Sequence, residues 1–326
     1  MSKRFVVLPP AGEQLTRWAD RVRAAVSDLE VVVCTDRQQA LDTLPQAQGA
    51  YGTMDAELLA AAPQLTWLAC PAAGPPPAFY FPELVASDVA VTNTRGIYND
   101  HICSHIMAFV LAFARGFHRY MPQQFQGKWA KGPDFGADIG RVVHLPDATA
   151  LIIGTGGIGG ATAQQCASFG MHVIGIDPRC PEPPPGVAEL HRPEDLDQHL
   201  PRADFVIMTA PQTPKTQGLM NAGRLQLLKD TAFLINIGRG SNVKIDDLSD
   251  ALYAGTIGGA ALDVFEIEPL PQDHPLWKAP NFLLTPHVAG DGPYLEERRI
   301  ELLVENCRRL AGGEELLNVV DKANWF

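Results

Sequence analysis

Short apolar runs alternate along the chain with longer stretches in which apolar residues recur at three- and four-residue intervals. That alternation is how βαβ units read, so an α/β protein with parallel sheets is expected. Phe5-Val6-Val7-Leu8 and Val31-Val32-Val33 predict buried strands with a helix over about 14–26 between them, and Ala50-Tyr51-Gly52 and Leu65-Thr66-Trp67-Leu68 predict two more strands. Residues 71–77, Pro-Ala-Ala-Gly-Pro-Pro-Pro, predict a rigid loop at a strand end, because proline fixes φ and removes donors. After Val89-Ala90-Val91-Thr92-Asn93, residues 100–119 are apolar on nearly every side, with His101, Ser104 and His105 the main interruptions. A helix buried on most faces is expected there, joining two domains and offering spare apolar area to a second copy. Residues 127–146, rich in Gly, Pro and charge, read as a connection before Ala148-Thr149-Ala150-Leu151-Ile152-Ile153 opens a second series of strands. Residues 181–186 read as a loop, and 294–310 as a closing helix of mixed charge.

Composition narrows the function class. The chain has 326 residues, enough for about two domains. Lys+Arg number 26 and Asp+Glu 37, a net charge of −11, which argues against nucleic acid or an anionic membrane as partner. The longest unbroken apolar run, 106–114, is far short of the roughly 20 residues of a membrane span, and the apolar segment after Arg4 is too brief for a secretory leader. A cytoplasmic protein with no membrane partner is expected. Cys34, Cys70, Cys103, Cys166, Cys180 and Cys307 are scattered without CxxC spacing, so reduced, mostly buried thiols are expected and no metal site.

The first chemistry lies at the strand over 148–153. Gly154-Thr155-Gly156-Gly157-Ile158-Gly159 follows it directly and precedes a helix-compatible stretch over 161–169, so GxGxxG stands in the context a dinucleotide site requires. Gly154 permits the tight turn, Gly156 lets backbone approach a pyrophosphate, and Gly159 allows close helix packing. The next strand, His172-Val173-Ile174-Gly175-Ile176, ends at Asp177, whose carboxylate is placed to accept both ribose hydroxyls of NAD. Asp177 would repel a 2′-phosphate, while Arg179, after Pro178, could attract one; NAD is the expected cofactor, with NADP possible.

Three later strand-end clusters each carry one polar group: Arg239 in Asn236-Ile237-Gly238-Arg239-Gly240, Glu268 after Asp263-Val264-Phe265, and His287 in Thr285-Pro286-His287. Hydride transfer to a 2-keto acid needs a cation for the carboxylate, an acid for the forming alkoxide, and an anion to keep that acid charged. Arg239, His287 and Glu268 supply those roles.

With these motifs in order, together with Thr92-Asn93-Thr94-Arg95-Gly96, Ala210-Pro211-Gln212-Thr213-Pro214 and Glu268-Pro269-Leu270-Pro271, the sequence resembles the D-isomer-specific 2-hydroxyacid dehydrogenases. The resemblance implies NAD-dependent interconversion of a 2-keto acid and a D-2-hydroxy acid. It implies that Arg239 binds the substrate carboxylate and carbonyl, that His287 is the acid/base, and that Glu268 pairs with it. Around the cofactor it implies the glycine loop with Asp177, Pro178 and Arg179, then Thr209, Ala210, Pro211 and Thr216, then Ile237, Gly238, Asp263, His287, Ala289 and Gly290. Asp263 would approach the nicotinamide carboxamide. The implied fold has two doubly wound parallel-sheet domains: a Rossmann NAD-binding domain, 100–291, inserted in a flavodoxin-like substrate domain formed by 1–99 and 292–326. Substrate would lie in the cleft between them, and a homodimer is expected.

The chain departs from the family pattern in places. The substrate loop reads Ala72-Ala73-Gly74-Pro75-Pro76-Pro77, leaving Ala73 and Gly74 as amide donors, and Phe79, Tyr80 and Phe81 suggest an apolar wall for a larger substrate side chain. Tyr98 is a further expected substrate contact. Cys103-Ser104-His105 stands where relatives carry Ala-Glu-His, and Asp291 is expected to cap the last helix. A phosphite-type oxyanion dehydrogenase and a non-enzymatic NAD-sensing, corepressor-like scaffold are the alternatives.

Overall fold

Apolar runs without polar alternation bury both faces only in a parallel sheet covered by helices on each side, and both sheets of this chain are of that kind. The computed structural model describes residues 2–130 and 142–324. The chain forms two compact units, Met1–Ile97 with Gly292–Phe326, and Tyr98–Asp291.

The first unit runs β1 (Lys3–Val7), α1 (Glu13–Ala25), β2 (Leu29–Val33), α2 (Arg37–Thr43), β3 (Gly49–Tyr51), α3 (Ala56–Ala60), β4 (Trp67–Ala69), α4 (Pro82–Ala86) and β5 (Ala90–Thr92). Its strand order, β2-β1-β3-β4-β5, is all parallel and is the flavodoxin-like order. Asp36 and Asp55 cap α2 and α3 by accepting from Gln39 N and Leu58 N.

The second unit runs α5 (Asn99–Ala114), α6 (Phe117–Phe125), β6 (Thr149–Ile153), α7 (Gly157–Ser168), β7 (His172–Ile176), β8 (Glu189–His191), α8 (Leu196–His199), β9 (Phe205–Met208), α9 (Ala222–Leu225), β10 (Phe233–Asn236), α10 (Ile245–Ala254), β11 (Gly259–Leu262) and β12 (Phe282–Leu284). Its parallel sheet has the order β12-β11-β10-β9-β6-β7-β8, the Rossmann order with one strand added beyond β11. The chain then returns to the first unit as α11 (Leu295–Gly312), whose Ile300, Leu303, Cys307 and Leu310 pack with Phe5, Trp18 and Trp67.

Several expectations need correction. The helix expected over 100–119 is two helices, because Gly116 adopts φ 73°, a left-handed conformation that costs glycine little and ends α5. α5 buries Ile106, Val110 and Phe113 in the core of its own unit, and the spare apolar surface lies on α6, where Phe117, Tyr120, Met121 and Phe125 are exposed. The 127–146 connection has its centre, 131–141, outside the described residues. Phe79 and Tyr80 are core residues of the first unit and Phe81 packs against that core, so the expected wall faces inward. Asp291 does not cap α11: Tyr294 holds that position without a side-chain bond, and Glu296 and Glu297 occupy the first turn. Among the described residues no helix is long and apolar enough to cross a membrane.

Candidate active site

In a doubly wound sheet the carboxyl ends of the strands and the loops after them form the binding edge. Here β6, β7, β9, β10, β11 and β12 each deliver part of the candidate site. After β6, Gly154 turns with φ 92°, and a Cβ on it would meet Ala210 N at 2.9 Å. On Gly159 a Cβ would lie 1.9 Å from Gly154 O, so only glycine lets α7 pack this closely on the turn. A Cβ on Gly156, by contrast, would meet nothing within 4 Å. The backbone there faces open space at the start of α7, which begins without a side-chain cap, the kind of helix start at which a pyrophosphate would sit. Thr155 is buried and Ile158 packs against the core, so they support the loop from inside.

Asp177 is 5% exposed. Its Oδ2 accepts from Thr155 N at 2.8 Å, and its Oδ1 accepts from Arg179 N and Cys180 N at 2.8 and 3.1 Å. Burial raises its pKa, but these three amides and the Arg179 charge outweigh that and leave it below the usual value. Most of the carboxylate's lone-pair capacity is thus spent on protein amides that tie the β7 end to the glycine loop. Two guanidinium groups belong to the same turn. Arg179 is one, and Arg192 donates to Pro178 O at 2.7 Å and Asp177 O at 3.3 Å.

After β9, Thr209 Oγ1 donates to Gly154 O, Ala210 is buried, and Thr216 Oγ1 donates to Pro211 O at 2.7 Å. The β10 end is set by Asn236, fully buried, whose Oδ1 accepts from Gly238 N at 3.0 Å while its Nδ2 donates to Arg239 O at 2.9 Å. Ile237 is buried, and a Cβ on Gly238 would meet Ala210 O at 2.6 Å. A Cβ on Gly240 would sit 1.9 Å from Phe265 C, so this glycine brings the Arg239 turn against the turn after β11. Burial pushes the Arg239 guanidinium below its ordinary pKa and the Glu268 charge opposes that shift.

Glu268 Oε1 accepts from Phe265 N at 2.8 Å, which leaves Oε2 facing His287 Nδ1 at 2.8 Å. His287 itself has φ 56°, a left-handed conformation that costs a non-glycine residue on the order of 1–3 kcal/mol and recurs at functional sites. The turn is held by Asp263, 1% exposed. Its backbone oxygen accepts from His287 N at 2.8 Å, its Oδ1 from Val288 N at 2.9 Å and its Oδ2 from Ala289 N at 2.9 Å. Thr285 Oγ1 also donates to Asp263 Oδ1 at 2.6 Å. That hydroxyl spends its only proton there, so at its 2.9 Å contact with His105 Nε2 the histidine is the donor.

Arg239, Glu268 and His287 line one cavity of about 210 Å³ together with Gln212, Gln217 and Phe265. Asp263, expected to face the nicotinamide, lies beneath the His287 turn with each carboxylate oxygen engaged by the protein. The ring of Tyr98 comes within 3.4 Å of where a Gly290 Cβ would stand, which puts Tyr98 beside the last residues of the same loop. Ala73 and Gly74 belong to the first unit, where Asn93 Nδ2 donates to Ala73 O at 2.8 Å. Sequence reasoning gave no role to Asn236, Thr285 or His105. The signals available were a polar residue at the end of an apolar strand, for Asn236, and a histidine within an apolar helix, for His105.

Residues 107–289 match the family model for the D-isomer specific 2-hydroxyacid dehydrogenase NAD binding domain. A glyoxylate reductase from Thermofilum pendens is 34% identical over 277 residues, covering 82% of this chain and 78% of that protein. A D-isomer specific 2-hydroxyacid dehydrogenase from Xanthobacter autotrophicus Py2, solved with NADPH and MES, superposes with a TM-score of 0.84 at 29% identity over 100% of both chains. An NADPH-dependent glyoxylate/hydroxypyruvate reductase from Sinorhizobium meliloti, solved with NADP and sulfate, gives 0.80 at 26% identity, over 99% of this chain and 100% of that one.

Proposed function

The chain belongs to the D-isomer specific 2-hydroxyacid dehydrogenase family and is an NAD(P)-dependent enzyme of that class, and from this premise we propose that it reduces a 2-keto acid to the D-2-hydroxy acid at Arg239, Glu268 and His287. The observation that carries the reading is the 2.8 Å contact between His287 Nδ1 and Glu268 Oε2 on the wall of the cavity that Arg239 also lines.

The residues divide the work by charge. Arg239 holds the substrate carboxylate and polarises the adjoining carbonyl through its planar set of donors. Glu268 keeps the His287 ring oriented through Nδ1, so that Nε2 delivers a proton to the carbonyl oxygen as negative charge develops. In the reverse direction the same nitrogen takes the hydroxyl proton. The hydride to the keto carbon would come from NAD(P)H when bound. The open face at Gly156 and the start of α7 would hold its pyrophosphate, and the segments of Thr209, Ala210, Pro211, Ile237 and Gly238 would line the rest of its path. Ala73, Gly74 and Tyr98 stand in this reading as contacts to the substrate.

NADH and NADPH are both candidates for the ribose end. Asp177 is largely engaged by backbone amides, while Arg179 and Arg192 bring positive charge to the turn, and two relatives of this fold were solved with NADPH or NADP. The substrate class favoured by the relatives is a short keto acid such as glyoxylate or hydroxypyruvate. A homodimer belongs to the same proposal, supported by the exposed Phe117, Met121, Phe125 and Trp129. The compartment implied is the cytoplasm.

The test is loss of NADH or NADPH absorbance against 2-keto acids and phosphite, with the product's chirality determined. Saturable turnover of a keto acid to the D product is expected. Oxidation of phosphite without keto-acid turnover would replace this reading, and cofactor binding without any turnover would favour a sensing role.

A further inference from the structure

β8 and β12 are the opposite edges of the seven-stranded sheet, and His287 follows β12. At the β8 edge the sequence, which has no metal-ligand spacing, nevertheless gathers nitrogen and oxygen donors. Glu189 and His191 are two residues apart on β8 and so share one face, as do His172 and Ile174 on β7, where Ile174 pairs with Glu189. His199 ends α8 and comes to the same place, its ring stacked on that of His191 with centroids 3.9 Å apart and planes at 28°.

Arg202 identifies the focal point. One of its terminal nitrogens donates to both His199 Nδ1 at 3.0 Å and Glu189 Oε2 at 2.9 Å. An acceptor nitrogen turns its lone pair toward its donor, so both atoms are aimed at one positively charged group. His191 Nε2 lies 3.2 Å from that same Oε2, and the candidate ligand atoms of Glu189, His191 and His199 all fall within 4.8 Å of one another. His172 Nε2 contacts the other oxygen, Oε1, at 2.6 Å and fixes the carboxylate's orientation, as groups behind a ligating carboxylate do.

We propose that Glu189, His191 and His199 form a binding site for a nitrogen-preferring divalent transition ion of the Zn2+ or Ni2+ class, the ion taking the place of the Arg202 guanidinium. Two imidazoles and one carboxylate select such ions over Mg2+ and Ca2+, which prefer oxygen donors. To reach about 2.0–2.2 Å from a shared ion the two stacked rings must swing about their side-chain torsions, and His191, whose Nε2 now donates to Glu189 Oε2 at 3.2 Å, must offer that nitrogen unprotonated. The guanidinium has room to leave, because the Arg202 side chain is 43% exposed, and the ion must outcompete its two-pronged pair with Glu189 at 2.9 and 2.6 Å. The bound ion ties the short edge strand β8 to α8. Its effect reaches the cofactor turn, since Asp177 N donates to His191 O at 3.1 Å.

Calorimetric titration of the untagged protein with Zn2+, and separately with Mg2+, tests this, using wild type, His191→Ala, His199→Ala and Arg202→Gln. NADH binding serves as the check that each variant is folded. Wild type should bind Zn2+ at this site and not Mg2+, and each histidine variant should lose about tenfold or more in affinity. Arg202→Gln should bind about tenfold more tightly, because the competing cation is gone. Zn2+ should raise Tm in wild type and Arg202→Gln but not in His199→Ala. Zn2+ affinity unchanged in both histidine variants, or weakened in Arg202→Gln, overturns the proposal.

Discussion

At the scale of single residues, the site is a set of backbone turns that leave few side-chain atoms free to move. Asp263 accepts from the backbone amides of His287, Val288 and Ala289 in succession, and its Oδ1 is in turn held by Thr285 and, through it, His105. This chain of bonds makes His105 a positioning residue for the His287 turn. His105→Leu leaves the Thr285 hydroxyl without its incoming donor, and turnover should fall about tenfold with KM for the keto acid within about threefold. His105→Gln restores an N–H at similar reach and should recover most of the rate. Steady-state kinetics of the pair, with Tm measured beside them, separates positioning from simple loss of fold. Arg239, Glu268 and His287 were legible in the sequence because each is the polar group of its own strand-end motif. His105 was not, because an isolated histidine in an apolar helix reads equally well as core. Nor could the sequence say that neighbouring amides would take up most of the Asp177 carboxylate's acceptor capacity, since that depends on how the turn at 177–180 folds back.

At the scale of elements, the glycine loop separates binding from folding. Gly156→Ala has room for its methyl, so the protein should keep its Tm within about 1 °C while NADH affinity falls about tenfold or more, because the methyl fills the space a pyrophosphate needs. Gly159→Ala puts a carbon 1.9 Å from a backbone oxygen and should destabilise the second unit outright. Thermal melts with and without NADH distinguish the two. On α6, His118 lies edge-on to Phe113 and 6.0 Å from Phe233, its buried Nε2 without a hydrogen-bond partner among the described residues. Burial, with Arg119 beside it, pushes its pKa down to about 4. The unfolded chain therefore takes up a proton near pH 6.5 that the folded chain refuses until about 4, and stability present above 6.5 is lost as pH falls through that window. His118→Leu should reduce the drop in Tm between pH 7 and 4.5 by about 3–6 °C. The elements themselves were largely legible where apolar runs were long, as in β1 and β6. β8 was not, being three residues with polar Glu189 and His191, and the break between α5 and α6 was hidden because apolar positions continue across Gly116.

At the scale of the whole molecule, two parallel sheets of different order are built from one chain, with the second unit's 194 consecutive residues, 98–291, interrupting the first. The alternating pattern announced both sheets, while the return of α11 to the first unit came from family resemblance, since periodicity shows that a helix forms but not what it packs against. In the proposed reaction the second unit carries the chemistry as well as the cofactor, with His287 moving the proton. The direct measurement is kcat of wild type and His287→Ala on one 2-keto acid, with NADH affinity determined for both. The expected result is a loss of about 10²–10⁴-fold in kcat with NADH affinity within about twofold. Unchanged turnover in His287→Ala would remove His287 from the reaction.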